Sequence, residues 1–588
     1  MQAEHRGSLP RPGALLGTRK DASLIALLIA YVLVVYWRAL PLPFINDDYV
    51  FLDKVRTASF LDLWKPERLY SLWYRPWSRE LHYWLLSRLL GPNEAAFHVV
   101  NFVLSLTVAG LYWKLAERLT RDRFAATIAV TGVIALAAWA SPLYWVAGVQ
   151  ELWMLLFGLL FLHALVSGRG TLACAALVLA LLSKETAAVL PAIGTAYARF
   201  ANRRGWRSSI RASAPYWIVV VTWALFHPTL RARFSTGPAF VDATVSRLAW
   251  PESFTRTLLS LVNLDQWPAP DHGWSRAVLL GAIGAVILVA MVIANYPPPG
   301  NVHGRRDDSH VTALGFAWGV IGSSVILLPS IGWHPYYVLL GALGFWVALA
   351  TLLSRHRSAA VSFVACVALL RGGRADTPSW DWGSDWYLFR AGAILESIRH
   401  KIADLHPRFP NGSRLFFARL PNNIGLLGGD GPALRVWYGD PSLRAMFYSA
   451  YTPRLATDCQ GTDYFFRFDT VSVLVEIHPG PETLSDALSR NPVWRHDHEV
   501  LASLFLHSGN LTAAADEYAK LARAAPERPD YALLAGAAAE ALGDSARAET
   551  FYGAASKAYG EEVVRRRAAE LVRFARSVKP TPRPSASP

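Results

Sequence analysis

Predominantly apolar blocks fill the first two thirds of the chain, at about 23–35, 96–117, 124–146, 152–167, 171–183, 185–200, 214–230, 276–295, 311–330, 335–353 and 358–372. Crossing a bilayer core takes about 20 apolar residues in a helix, so the blocks predict about eleven spans, three or four of them short. No small-x-small cleavage site follows the first block, which is therefore expected to stay as a span. The loop 46–95 carries a different pattern: Trp77, Leu81, Trp84, Leu85 and Leu89 recur at helical spacing. That predicts a helix lying along the membrane surface. A second long loop, 231–275, contains Pro and Trp, and the two together can roof a cavity over the spans.

Beyond residue 372 the pattern becomes that of a soluble α/β segment, 373–490, with a helical run at 390–406 and strand-like runs at 414–418, 464–468 and 471–477. The segment 491–577 repeats: Gly509 and Gly543 lie 34 residues apart, as do Asn510 and Asp544, Ala514 and Ala548, and Tyr518 and Tyr552. A helix–glycine–helix unit of that period looks like a tetratricopeptide repeat, and two such units need a neighbour to complete a core. The tail 578–588, rich in Pro and Ser, is expected to be disordered. The expected fold is mainly α: a polytopic transmembrane helical domain over 1–372, then the small α/β region, then the helical repeats.

Composition sharpens this picture. The chain is 53% apolar and 17% charged, against roughly 45–50% and 25% in soluble proteins. The net charge of +14 is spread over short connections instead of one dense patch, which argues against nucleic acid. Every second connection is basic: the N-terminal tail, 114–123, 199–211, Arg305 with Arg306, and Arg355 with Arg357. The alternate connections 147–151 and 331–334 carry no Lys or Arg. That bias predicts a cytoplasmic N-terminus and everything after about 373 outside, hence periplasmic in a bacterial inner membrane. The loop 46–95 disagrees, with seven basic residues, but it also holds seven acidic ones and is long enough to be a structured outer segment. Cys174, Cys366 and Cys459 show neither metal spacing nor a disulfide framework.

Against this apolar background a few charged groups stand out. Asp47 and Asp48 end the first apolar segment; they either mark the water interface or supply a general base at the rim of a shielded cavity. A second carboxylate can orient the first, hold an acceptor, or bind a divalent cation. Arg75, in Tyr74-Arg75-Pro76-Trp77, offers a planar fork suited to a phosphate leaving group. Ser183-Lys184-Glu185 lies between two short apolar runs, either as a hairpin with an internal ion pair or with Lys184 toward a phosphate and Glu185 holding it. His334-Pro335-Tyr336-Tyr337 and Gln150-Glu151 sit in short outer connections, where His and Tyr also serve as interfacial anchors.

Taken together these stretches resemble the GT-C superfamily of polytopic glycosyltransferases, and within it the O-mannosyltransferase-like proteins that join such a domain to tetratricopeptide repeats. The resemblance runs through Asn46-Asp47-Asp48, Tyr74-Arg75-Pro76, Phe97-His98-Val99-Val100-Asn101, Leu182-Ser183-Lys184-Glu185 and the tyrosine-rich 334–340, and covers roughly 23–353. It implies a polyprenyl-phosphate sugar donor, an outward-facing site in the first outer loop, and inversion at the anomeric carbon. It makes Asp47 or Asp48 the base and Arg75 and Lys184 the donor-phosphate contacts, joined by His334 and Tyr336 and supported by Glu151 and Glu185. Two segments depart from the family. Ser141–Val146 stands where relatives carry a His-Pro-x-His-x-Glu kind of segment, and His334-Pro335-Tyr336 where they carry Glu-Arg-Tyr. A transporter or flippase, or a membrane-anchored scaffold whose repeats bind a protein, are the alternatives. A transporter often shows internal repeats of its membrane half, and none is visible here; a scaffold has no need of the paired carboxylates.

Overall fold

The computed structural model describes residues 19–65, 73–228, 230, 250–265, 276–296, 308–324, 333–374, 383–418, 431–447, 461–468, 474–476 and 495–578. It divides into two compact units, Met1–Gly392 and Ala393–Pro588. The expected disordered tail, the basic 1–18 and most of the loop 231–275 lie outside the described residues.

The first unit is helical, and the described parts of the eleven apolar blocks are largely helix. Among the described residues five helices are long and apolar enough to cross a membrane: Asp21–Ala39, Glu94–Thr120, Val146–Val166, Trp206–Phe226 and Pro335–Leu353. A sixth span results if Arg123–Ile134 and Ala137–Tyr144, bent by 59° at their junction, count as one. Other apolar helices, such as Gly170–Leu181 and Ser309–Ser323, have 12 and 15 residues. At 1.5 Å per residue these fall short of a full crossing. Small residues bring helices together where no hydrophobic force distinguishes a neighbouring helix from lipid. A Cβ on Gly344 would lie 2.5 Å from Trp318 Cβ, and one on Gly341 2.7 Å from the carbonyl of Gly319, so Ser309–Ser323 and Leu339–Leu353 pack backbone to backbone.

The loop expected to lie on the membrane surface begins with a π-helical turn, Pro76–Leu81, and continues as the helix His82–Leu90. Its outward face carries Leu85, Leu89 and Leu90, while Arg79, Glu80, His82 and Tyr83 are buried. The apolar stripe thus points out and the polar residues point in, the reverse of a soluble amphipathic helix.

The second unit opens on a four-stranded sheet, β1 (Arg414–Ala418), β2 (Arg444–Phe447), β3 (Asp463–Phe468) and β4 (Leu474–Glu476), in the order β2-β1-β3-β4. β1 runs parallel to both neighbours and β4 is antiparallel to β3. β2 had no sequence signal. The register sets Phe416 beside Phe465 and Phe417 beside Phe466, each pair stacked with centroids 5.4 Å apart. The 34-residue periodicity appears as two helical hairpins, Arg495–His507 with Leu511–Ala524 and Pro529–Ala541 with Ser545–Tyr559. Gly509 and Gly543 take φ +77° and +88° at the turns, the left-handed region open to glycine. Asn510 and Asp544 then cap the second helices by accepting from Ala513 N and Arg547 N. A fifth helix, Glu561–Ser577, closes the array.

Candidate active site

Asp47 and Asp48 do not end the first span. The chain leaves Arg19–Tyr36 through a short turn, Trp37–Ala39, and the two carboxylates open a new ten-residue helix, Asp47–Arg56. Negative charge in a first turn meets the unpaired N–H groups and positive end of the helix dipole, and Lys54 and Arg56 complete the pattern in the last turn.

Asp48 is fully buried and fully engaged. Its Oδ1 accepts from Tyr83 Oη at 2.6 Å and Ala147 N at 2.8 Å, and its Oδ2 from Ile45 N at 2.9 Å. Burial pushes its carboxyl up to about 7, against the pull of those three donors. Asp47, half-buried, has no hydrogen-bond partner among the described residues. Burial raises its pKa too, and the Arg79 and Arg75 guanidiniums oppose the rise. Equal in the sequence, the two carboxylates are different groups in the fold: one ties the helix to the 142–147 segment, and the other is left open.

That segment is part of the frame. Pro142 and Val146 carbonyls accept from Asn101 Nδ2 at 3.1 and 3.3 Å, and the carbonyl of Leu143 lies 3.2 Å from His98 Nδ1. The stretch that departs from the family pattern therefore places the Ala147 N–H that holds Asp48.

Arg75 arrives from the π-helical turn, which is fastened to the 182–183 backbone by Trp77 N to the Leu182 carbonyl (3.3 Å) and Ser78 Oγ to the Ser183 carbonyl (2.6 Å). This joins the arginine-bearing and lysine-bearing segments. Arg75 Nε donates to both Glu185 oxygens at 3.0 and 2.9 Å, and its Nη1 donates to Gln150 Oε1 at 2.7 Å. Burial alone would raise Glu185, but the Arg75 charge and hydrogen bonds from His227 and Arg75 hold the carboxyl down to about 2. Lys184 pairs with Glu151, both buried. Its Nζ also lies 4.7 and 4.6 Å from the ring centroids of Tyr336 and Tyr337, and His334 stacks on Tyr336 with 6° between the planes. The neighbours Lys184 and Glu185 do not pair with each other, contrary to the hairpin and support readings. Lys184 is extended (φ −163°, ψ +141°), so adjacent side chains point to opposite sides and each finds a partner elsewhere.

The fold thus gathers the sequence-chosen residues into one neighbourhood at the ends of the apolar helices. It makes Gln150, already singled out in the sequence, the second acceptor for Arg75, and adds groups that spacing did not reveal: Tyr83 on Asp48, and Arg79 with Glu80, whose Oε1 also accepts from Lys54 Nζ at 2.7 Å. The adjacent charges Arg79-Glu80 were the available signal, passed over because the segment was read only for its apolar stripe along the membrane surface. Among the described residues no three His, Cys, Asp or Glu side chains gather as a metal site.

No protein-family model and no curated protein matches the chain. A solved structure, ArnT from Cupriavidus metallidurans bound to undecaprenyl phosphate, shows 15% identity over 72% of this chain and 85% of its own, with a TM-score of 0.36. At that level neither fold nor function transfers, and the residues themselves carry the reading.

Proposed function

We propose that the protein is an inverting, GT-C-type membrane glycosyltransferase that moves a sugar from a polyprenyl-phosphate donor to an acceptor on the outer face of the membrane. One observation carries this reading: an open carboxylate, Asp47, lies within electrostatic reach of Arg75, and Arg75 and its neighbour in the site Lys184 are each fixed by their own carboxylate near the ends of helices able to span a bilayer.

In this reading Asp47 takes the proton of an acceptor hydroxyl as that oxygen attacks the anomeric carbon. The bond from that carbon to the donor phosphate oxygen breaks, and the phosphate leaves with the bonding pair. Arg75 and Lys184 stabilise the negative charge gathering on it. Because Glu185 and Glu151 hold both cations before substrate arrives, their reorganisation cost in the transition state is small. His334 and Tyr336 flank Lys184. The C-terminal hairpins, read as tetratricopeptide repeats, offer a surface for a protein partner.

The test is transfer by the purified full chain in lipid from polyprenyl-phosphate sugars, with nucleotide sugars alongside. Lipid-linked donors are expected to work and nucleotide sugars to fail. Arg75→Lys keeps the charge but loses the fork on Glu185 and Gln150, and is expected to lower turnover more than donor binding. Transfer from nucleotide sugars alone would sink the lipid-donor reading.

A further inference from the structure

Asp47 sits in a turn whose first central residue is left-handed. Ile45 and Asp48 close it from both sides: Asp48 N donates to the Ile45 carbonyl at 3.1 Å, and Ile45 N donates to Asp48 Oδ2 at 2.9 Å. Asn46, the first central residue, takes φ +48° and ψ −119°. Those are the angles of a type II′ turn, a left-handed position that glycine fills without strain and asparagine tolerates better than most other residues. Unlike glycine, asparagine there also brings a side-chain amide. Asn46 Nδ2 donates to Tyr387 Oη at 3.3 Å.

Tyr387 is buried in the first turn of the helix Asp385–Leu405, and that turn is anchored independently. Asp385 Oδ2 accepts from the buried Arg371 Nη2 at 2.7 Å, Phe389 lies under the Arg38 guanidinium at 4.0 Å and 4.9 Å from Tyr144, and Tyr387 N donates to Ser384 Oγ at 3.2 Å. Gly392 lies against Pro43: a Cβ added there would sit 3.2 Å from Pro43 Cδ. The start of this helix is therefore a fixed buttress under the segment 38–46. Burial raises the Tyr387 phenol, the Asn46 hydrogen bond opposes the rise, and the negative charge of Asp47 adds to it.

We propose that Tyr387 is a positioning residue for Asp47, acting through the Asn46 side chain: it holds the strained turn that sets where the open carboxylate sits. This rests on the reading of Asp47 as the base. No sequence pattern links positions 46 and 387.

The experiment uses the full chain in lipid and two readouts. In transfer assays Tyr387→Phe, which removes one oxygen and keeps the ring, is expected to lower kcat about tenfold with KM for the donor unchanged, as a misaimed but present base would. In an Asn46→Gly background the turn no longer uses the amide, so Tyr387→Phe should cost nothing further. Independently of activity, the rate at which a water-soluble carbodiimide labels Asp47, read by peptide mass spectrometry across pH, should change severalfold in Tyr387→Phe. Asp62, held by Ser59 and Lys65 in a separate turn, serves as the internal standard. Unchanged Asp47 labelling, or a Tyr387→Phe effect that persists in full beside Asn46→Gly, overturns the proposal. If wild-type protein transfers no sugar from any lipid-linked donor, the function falls while the labelling comparison still decides whether Tyr387 positions Asp47.

Discussion

Three donors converge on Asp48 and none of the described residues bonds Asp47, so substitution should separate the two positions cleanly. Asp47→Asn is expected to abolish transfer while leaving thermal stability near wild type, since no donor is stranded. Asp48→Ala strands Ile45 N, Ala147 N and Tyr83 Oη, each worth about 1–3 kcal/mol, and should appear as a lowered thermal midpoint and poor recovery from the membrane. Wild-type transfer by Asp47→Asn would remove it as the base. The raised pKa values give signs as well. Folded Asp47 and Asp48 keep their protons above the ordinary 3.8, so across that window the folded chain binds more protons than the unfolded one. Stability contributed by these groups therefore falls as pH rises, for Asp48 from 3.8 through about 7. With Asp47 as the proposed base, transfer is expected to rise with pH along a limb whose midpoint lies above the ordinary carboxylate value. Rate and melting profiles measured on the same preparation check both signs.

At the scale of elements, the neighbourhood depends on how closely Leu339–Leu353 approaches Ser309–Ser323, because the His334–Tyr337 segment leads into the former. Gly344→Val puts side-chain atoms where Trp318 Cβ already lies 2.5 Å from a bare Cβ. Overpacking of this kind costs about 1–3 kcal/mol, and the shift should carry Tyr336 and Tyr337 away from Lys184. The expected result is a lower thermal midpoint together with reduced transfer. Gly110→Ala, in Glu94–Thr120, meets nothing within 4 Å and should change neither. Equal effects from the two substitutions would show that close packing at Gly344 is not what matters. The π-helical turn makes the same point about legibility: the sequence showed its helical period, but the face that turned inward was the polar one, because Arg79 and Glu80 had ionic partners waiting.

For the whole molecule, the alternation of basic connections predicts an inside N-terminus and an outside C-terminal unit. Phosphatase fused at residue 588 is expected to be active and a cytoplasmic fluorescent reporter there to be dark; the reverse would overturn the orientation and the outer-face site with it. Five or six helices meet the length for crossing, and the shorter ones place the remaining apolar blocks inside the helical unit without by themselves setting how each meets the bilayer.

Periodicity and composition determined what local physics can determine: apolar blocks that become helices, a glycine-punctuated repeat of 34 residues, phenylalanine-rich strands, and charged groups too costly to leave in an apolar setting without a purpose. They named Asp47, Asp48, Arg75, Glu151, Lys184, Glu185, His334 and Tyr336 because each is conspicuous against its own neighbours. Pairing is another matter, since it depends on distances between segments up to hundreds of residues apart. Only the tertiary structure crossed the ion pairs, Arg75 to Glu185 and Lys184 to Glu151, and set Asn46 against Tyr387. It also decided which aspartate is held and which is free, because a carboxylate's role is fixed by the donors around it, and those come from Tyr83 and Ala147 on other elements.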